Sequence, residues 1–115
     1  MVGDRDGEAG AWETLGDAQH HLGNEAEAFA CYRRSIGMYR ELGEQYLEAE
    51  TLTHLGDRHH DTGDRQAAGD AWQQALAVLT ALNHPNADAV RTKLDQLDAG
   101  RAAEQAPKSA DTPLS

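Results

Sequence analysis

Two pairs of adjacent histidines, His20-His21 and His59-His60, are the side chains of this sequence best suited to chemistry. Asp17 lies three residues before His20 and four before His21, and Asp57 stands in the same relation to His60 and Asp61. On a helix such offsets share a face, and stacked turns would gather imidazoles and carboxylates of the kind that zinc accepts. Against this, adjacent residues on a helix point about 100° apart, so two neighbouring histidines do not both address one ion. The plainer alternative places His59 on an apolar stripe, packed and holding one hydrogen bond. Histidine also titrates near neutral pH, so a metal- or pH-responsive domain stays open as a second reading. Nucleophilic chemistry has less to build on. Cys31 has no evident base beside it, and Ser35, Ser109 and Ser115 form no serine–histidine–aspartate arrangement. No catalytic residue, no metal ligand and no cofactor is therefore expected, and the chain reads as a non-enzyme.

The bulk properties narrow the partners. The 115 residues suffice for one modest core, and ten Lys plus Arg against twenty Asp plus Glu give a formal charge of −10. That sign repels phosphate backbones and anionic leaflets, so neither nucleic acid nor a membrane is an expected partner. With a single cysteine there is no internal disulfide. The absence of a long apolar run or a signal-like N-terminus points to a cytoplasmic setting by default.

The elements that must position these side chains are helices. Ala, Leu, Gln, Glu and Arg dominate, and apolar residues recur at helical spacing. Five stripes follow: Trp12, Leu15, Gly16, Gln19 and Leu22; Phe29, Tyr32, Ile36, Tyr39 and Leu42; Tyr46, Ala49, Leu52, Leu55, Gly56 and His59; Ala68, Ala71, Trp72, Ala75, Leu76, Leu79 and Leu82; and Val90, Leu94 and Leu97. Gly23-Asn24 and Gly63-Asp64 read as a helix stop followed by a capping side chain. Gly43 ends the second helix, Asn83-His84-Pro85 the fourth, and Gly100 the fifth.

Sliding the chain by forty residues lays Leu15-Gly16-Asp17 on Leu55-Gly56-Asp57, His20 on His60, Gly23 on Gly63, Ala28 on Ala68 and Tyr32 on Trp72. The same shift matches Gly3 with Gly43, Glu8 with Glu48 and Ala9 with Ala49, and brings Glu48-Ala49 onto Asp88-Ala89. One helical hairpin per period marks an all-α solenoid. The stretches "WETLGDAQHHLGNEAEAFACYRRSI" and "LTHLGDRHHDTGDRQAAGDAWQQAL" resemble tetratricopeptide repeats. Trp12, Leu15, Gly16, Gly23, Ala28, Tyr32 and Ser35 fill the family's places in the first copy. Leu52, Leu55, Gly56, Gly63, Ala68, Trp72 and Ala75 fill them in the second. The period exceeds the family's usual ~34 residues, which implies longer helices. The expected organisation is an inter-repeat loop remnant at 1–7, repeats at 8–43 and 44–83, a capping helix at 84–99 and a disordered tail at 100–115. Arg91, Lys93, Asp95 and Asp98 of the capping helix are expected to face outward.

More narrowly, the run from Tyr39 to Leu97, with its His84-Pro85 turn, is similar to the C-terminal repeats of actinobacterial antibiotic-regulatory (SARP-type) transcriptional activators. That likeness implies a C-terminal sensor module. The DNA-binding, activation and nucleotide-switch parts of such regulators have no counterpart here, there being no phosphate-binding glycine loop.

The family resemblance implies a concave groove lined by the first helix of each hairpin. Carried over, the partner-binding residues are Glu13, Asp17 and His20 in the first copy and Glu50, Thr53, Asp57 and His60 in the second. Relatives that clamp a carboxylate terminus use Lys and Asn at the places of Glu13, Asp17, Thr53 and Asp57. A basic or neutral protein or peptide is therefore expected, not an acidic tail. Trp12, Leu15 and Leu22 are expected to drive self-association as a homodimer, because a repeat buries its apolar face only against a neighbour. A purely structural dimerisation module is the remaining alternative.

Overall fold

The structure, a computed structural model, describes residues 5–105. It consists of α1 (Arg5–His21), α2 (Glu25–Leu42), α3 (Gln45–Asp61), α4 (Arg65–Ala81) and α5 (Asn86–Gln105). No strand occurs among the described residues.

The helices end where the backbone turns left-handed, and it does so every twenty residues. Gly23, Gly43 and Gly63 have φ of 83°, 74° and 87°, and Asn83 takes the fourth place at 53°. Asparagine is one of the few side chains that tolerate this region. After each, an amide reaches back five residues to a free carbonyl: Asn24 to Gln19, Glu44 to Tyr39, Asp64 to His59 and His84 to Leu79, at 2.8–2.9 Å. These are Schellman closures, which satisfy carbonyls that a helix end leaves unpaired. Entry into the next helix is less uniform. Asp64 accepts the Ala67 amide at 3.1 Å, as expected. Asn24 does not cap α2; its amide donates to Gln19 Oε1 at 2.7 Å.

Packing runs along the chain, α1 on α2, α2 on α3, α3 on α4 and α4 on α5. This is an open stack of two hairpins with a fifth helix laid on the end, not a closed bundle. The main core joins Tyr32 and Ile36 of α2, Leu52 and Leu55 of α3, Trp72 and Leu79 of α4, and Val90 and Leu97 of α5. A smaller cluster of Ala9, Met38 and Tyr39 lies between α1 and α2, with Trp12 against it. Tyr32 is fully buried and Trp72 is 4% exposed. Each ring presses on a glycine of the opposing helix. A Cβ on Gly16 would sit 3.2 Å from the Tyr32 ring and from the Ala28 carbonyl oxygen, and one on Gly56 would overlap the Trp72 ring. The repeated glycine is the notch that lets each hairpin close.

Several expectations need correction. Arg5–Gly7, assigned to a loop remnant, begin α1. Gly100, expected to end α5, lies inside it, and the helix runs to Gln105. A lone glycine costs a helix only about 1 kcal/mol, too little to stop one. The expectation of disorder for residues 106–115 lies outside the described residues. Leu15 and Leu22 are 42% and 74% exposed, and Leu42 and Leu82 nearly 40%. Leu22, Leu42 and Leu82 stand at the last residue of a helix or just past it, where the neighbouring helix no longer covers the stripe.

Candidate functional site

Side chains of α1, α3 and α5 meet along one face of the stack, and they meet differently at its two seams. Between α1 and α3 the seam is bridged by polar contacts. His54 Nδ1 pairs with Glu13 Oε2. The Tyr32 hydroxyl donates to Asp17 Oδ1 and accepts from Arg58 Nε at 3.2 Å. Arg58 Nη2 also approaches Asp17 at 3.6 Å. His20 Nδ1 meets Glu25 at 2.9 Å, and its Nε2 lies 3.5 Å from Asp61. All three groove residues expected in the first copy therefore tie α1 to its neighbours.

The seam between α3 and α5 is open. Two hollows lie along it, separated by Lys93. One of about 470 Å³ is walled by Asp57, His60, Asp61 and Trp72 on one side and Lys93 and Leu97 on the other. The second, about 270 Å³, has Leu79, Ala89 and Val90 as its apolar floor, with Tyr46, Glu50, Thr53, His54 and Asn86 around the rim. The four groove residues expected in the second copy all line these hollows, Glu50 and Thr53 the smaller, Asp57 and His60 the larger. Lys93, expected to face outward, turns inward instead. Its Nζ lies 3.1 Å from Asp57 Oδ1 and 5.6 Å from the centroid of the Trp72 ring. An acid and an aromatic face together hold it there. Sequence reasoning missed Lys93, Tyr46 and Asn86. The signal for the last pair was faint: the Asn86 amide donates to the Tyr46 hydroxyl at 3.1 Å, and these residues stand one repeat apart.

The two aspartates have a shared construction. Asp17 accepts from Tyr32, and Asp57 accepts from Trp72 Nε1 at 3.2 Å, in each case a ring fifteen residues on. Trp72 Nε1 also reaches the Thr53 carbonyl at 3.2 Å. The Leu-Gly-Asp triplet thus places a notch for the ring and an acceptor for its polar tip on successive residues. Each aspartate then takes a cation from the next helix along the face, Arg58 or Lys93. Burial, reinforced by the hydrogen bond to Asp17, pushes the Tyr32 hydroxyl well above the ordinary tyrosine range. The acids invoked for a basic partner are in large part compensated: Glu13 by His54, Asp17 by Arg58, Asp57 by Lys93.

The histidine pairs point apart. His20 serves the α1–α3 seam, and the His21 Nδ1 hydrogen-bonds the Asp17 carbonyl at 2.7 Å. His59 is buried and stacks on Phe29 with centroids 4.1 Å apart. It packs as the plainer reading expects, but its Nδ1 has no hydrogen-bond partner, and burial pushes its pKa down. His60 tilts against Trp72. No group of three or more His, Cys, Asp or Glu converges on a metal-sized site among the described residues. Cys31 is buried, which pushes its thiol pKa up.

The self-association residues divide. Trp12 is half-buried beneath Arg34, whose guanidinium carbon is 4.8 Å from the ring centroid, while Leu15 and Leu22 are exposed. No helix among the described residues is long and apolar enough to cross a membrane.

No curated protein and no solved structure gives a significant match. Residues 7–81 match the family model described as tetratricopeptide repeat, and the chain belongs to that family, whose repeats generally mediate protein–protein interaction.

Proposed function

We propose that this chain is a peptide-recognition module, without catalysis of its own, that takes an extended or helical segment of a partner protein along the α3–α5 seam. The observation that carries this reading is the contrast between the seams: the hollows of about 470 and 270 Å³ lie where α3 and α5 face each other, while α1 and α3 are joined by bridges. The apolar floor of Leu79, Ala89 and Val90 suits a small aliphatic side chain, and the polar rim suits the amides of a partner backbone. A neutral segment fits best and a basic one next, because Glu50 adds negative charge to walls whose other acids, Asp57 and Asp61, are paired with Lys93 and Arg58.

Selection of peptides on an array by the full chain tests this. Ala89→Arg, an exposed position on the floor of the smaller hollow, is expected to weaken selected peptides about tenfold or more, whereas Gln74→Arg on α4 leaves them unchanged. Equal binding by both variants would remove the seam from consideration.

The finer proposal is that the module is the C-terminal sensor part of an antibiotic-pathway transcriptional activator in the cytoplasm. It is supported by the likeness of the Tyr39–Leu97 run alone. A nucleotide-binding switch domain encoded immediately upstream is the expected finding, and an unrelated gene there contradicts it.

A further inference from the structure

The forty-residue shift pairs a covered helix with an uncovered one. On α3, Glu48, Thr51, Leu52 and Leu55 are buried, at 8%, 0%, 2% and 7% exposure. The corresponding residues of α1 are Glu8, Ala11, Trp12 and Leu15; the first two are exposed, Trp12 is half-buried and Leu15 is 42% exposed. These same four residues wall a shallow apolar hollow of about 150 Å³. Ala9 and Gly16, which face α1's own hairpin partner, are buried just as Ala49 and Gly56 are. The difference between the two helices is therefore confined to one face, the one that α2 covers on α3.

How α2 covers that face is on display. Phe29 stacks on His59, Ile36 packs with Leu52 and Leu55, and Arg40 Nε donates to Glu48 Oε2 at 2.8 Å. The aromatic, the aliphatic and the base stand at i, i+7 and i+11, three turns of one helix stripe. Glu8 occupies on α1 the place of Glu48 and supplies the acid for the same base. We propose that the outer face of α1 is a docking site for a partner's amphipathic helix carrying an aliphatic residue and, four residues on, an arginine. Gln19 stands on α1 where α3 has His59, so the aromatic is not required. A second copy of this chain does not supply such a helix. Its Phe29, Ile36 and Arg40 are already engaged on its own α3, and its terminal helix shows Arg91, Thr92, Asp95 and Asp98 to the outside.

The probe is an acetylated, amidated peptide of residues 24–43, the chain's own α2, added to the isotope-labelled full chain. Saturable amide shifts at Glu8, Ala11, Trp12 and Leu15 are expected, lost when Ile36 and Arg40 of the peptide are serine. Because a free helix of this length is marginal in water, a second measurement grafts residues 24–42 in front of Gly3, the junction the repeat prescribes. Hydrogen exchange of the α1 amides is expected to slow at least about tenfold relative to a graft carrying the two serines, the scale of burying one aliphatic side chain. Slowing in the graft supports the site even where the free peptide stays unfolded. Equal exchange in the two grafts overturns it. So do peptide shifts confined to α3, or sedimentation of the unmodified chain as a dimer that Leu15→Asp dissociates, since the occupant would then be a second copy. Ala89→Arg leaves the expected shifts untouched, so failure here and failure of the α3–α5 seam are separable.

Discussion

The two seams of the face formed by α1, α3 and α5 are built from the same repeated sequence and come out opposite in character. Both start from Leu-Gly-Asp, and both tie the aspartate to a ring fifteen residues on and to a cation from the next helix. The α1–α3 seam then adds Glu13–His54 and His20–Asp61 and closes. The α3–α5 seam adds only the neutral Asn86–Tyr46 hydrogen bond at its end, and it remains hollow on both sides of Lys93. The repeat thus fixes the scaffold, and a few unrepeated side chains decide which seam is bridged and which stays hollow.

The largest effects should come from the shared scaffold. Trp72→Ala removes a ring at the junction of α3, α4 and α5 and is expected to cost about 3–5 kcal/mol in urea denaturation. A loss under about 1 kcal/mol would mean that the ring does not hold the stack. Next comes the pair of notches. Gly56→Ala drives a methyl into that buried ring and is expected to cost about 1–3 kcal/mol. Gly16→Ala meets its neighbours at 3.2–3.3 Å, and the gain of roughly 1 kcal/mol in helix propensity offsets most of the strain. Comparable losses at both sites would erase that distinction between the repeats.

Smaller effects are read through pH. The hydrogen bond to Glu13, opposed by partial burial, leaves His54 above the ordinary histidine value of 6.5. Its contribution is therefore fully present below that value and fades as pH rises through the folded pKa. His59 is shifted the other way by burial, so its contribution is lost as pH falls below 6.5 towards the depressed folded value. Thermal melts between about pH 5 and 8 should show His54→Gln losing stability relative to the parent mainly on the acid side. A pH-independent difference would show that the Glu13–His54 bridge is not protonation-linked.

Most of the scaffold was legible because a short repeat repeats its constraints. Gly16 and Gly56, Tyr32 and Trp72, and the stops at Gly23, Gly43, Gly63 and Asn83 each report a local steric demand that residue type alone reveals. The site was only half legible. Glu13, Asp17 and His20 look like groove residues by position, yet their partners His54, Arg58 and Asp61 lie some forty residues away and could not be assigned by periodicity. Lys93 has no counterpart in the repeat, since the forty-residue shift places it on Thr53. Gly100 misled because helix continuation there depends on the residues around it and not on the glycine alone.

The most direct measurement is NMR mapping of an array-selected peptide on the labelled full chain. Shifts gathered at Tyr46, Thr53, His60 and Val90, with Glu13 and His20 unmoved, are the predicted result. Shifts centred on Glu13, Asp17 and His20, with the α3–α5 hollows undisturbed, would contradict the assignment of the open seam as the binding surface.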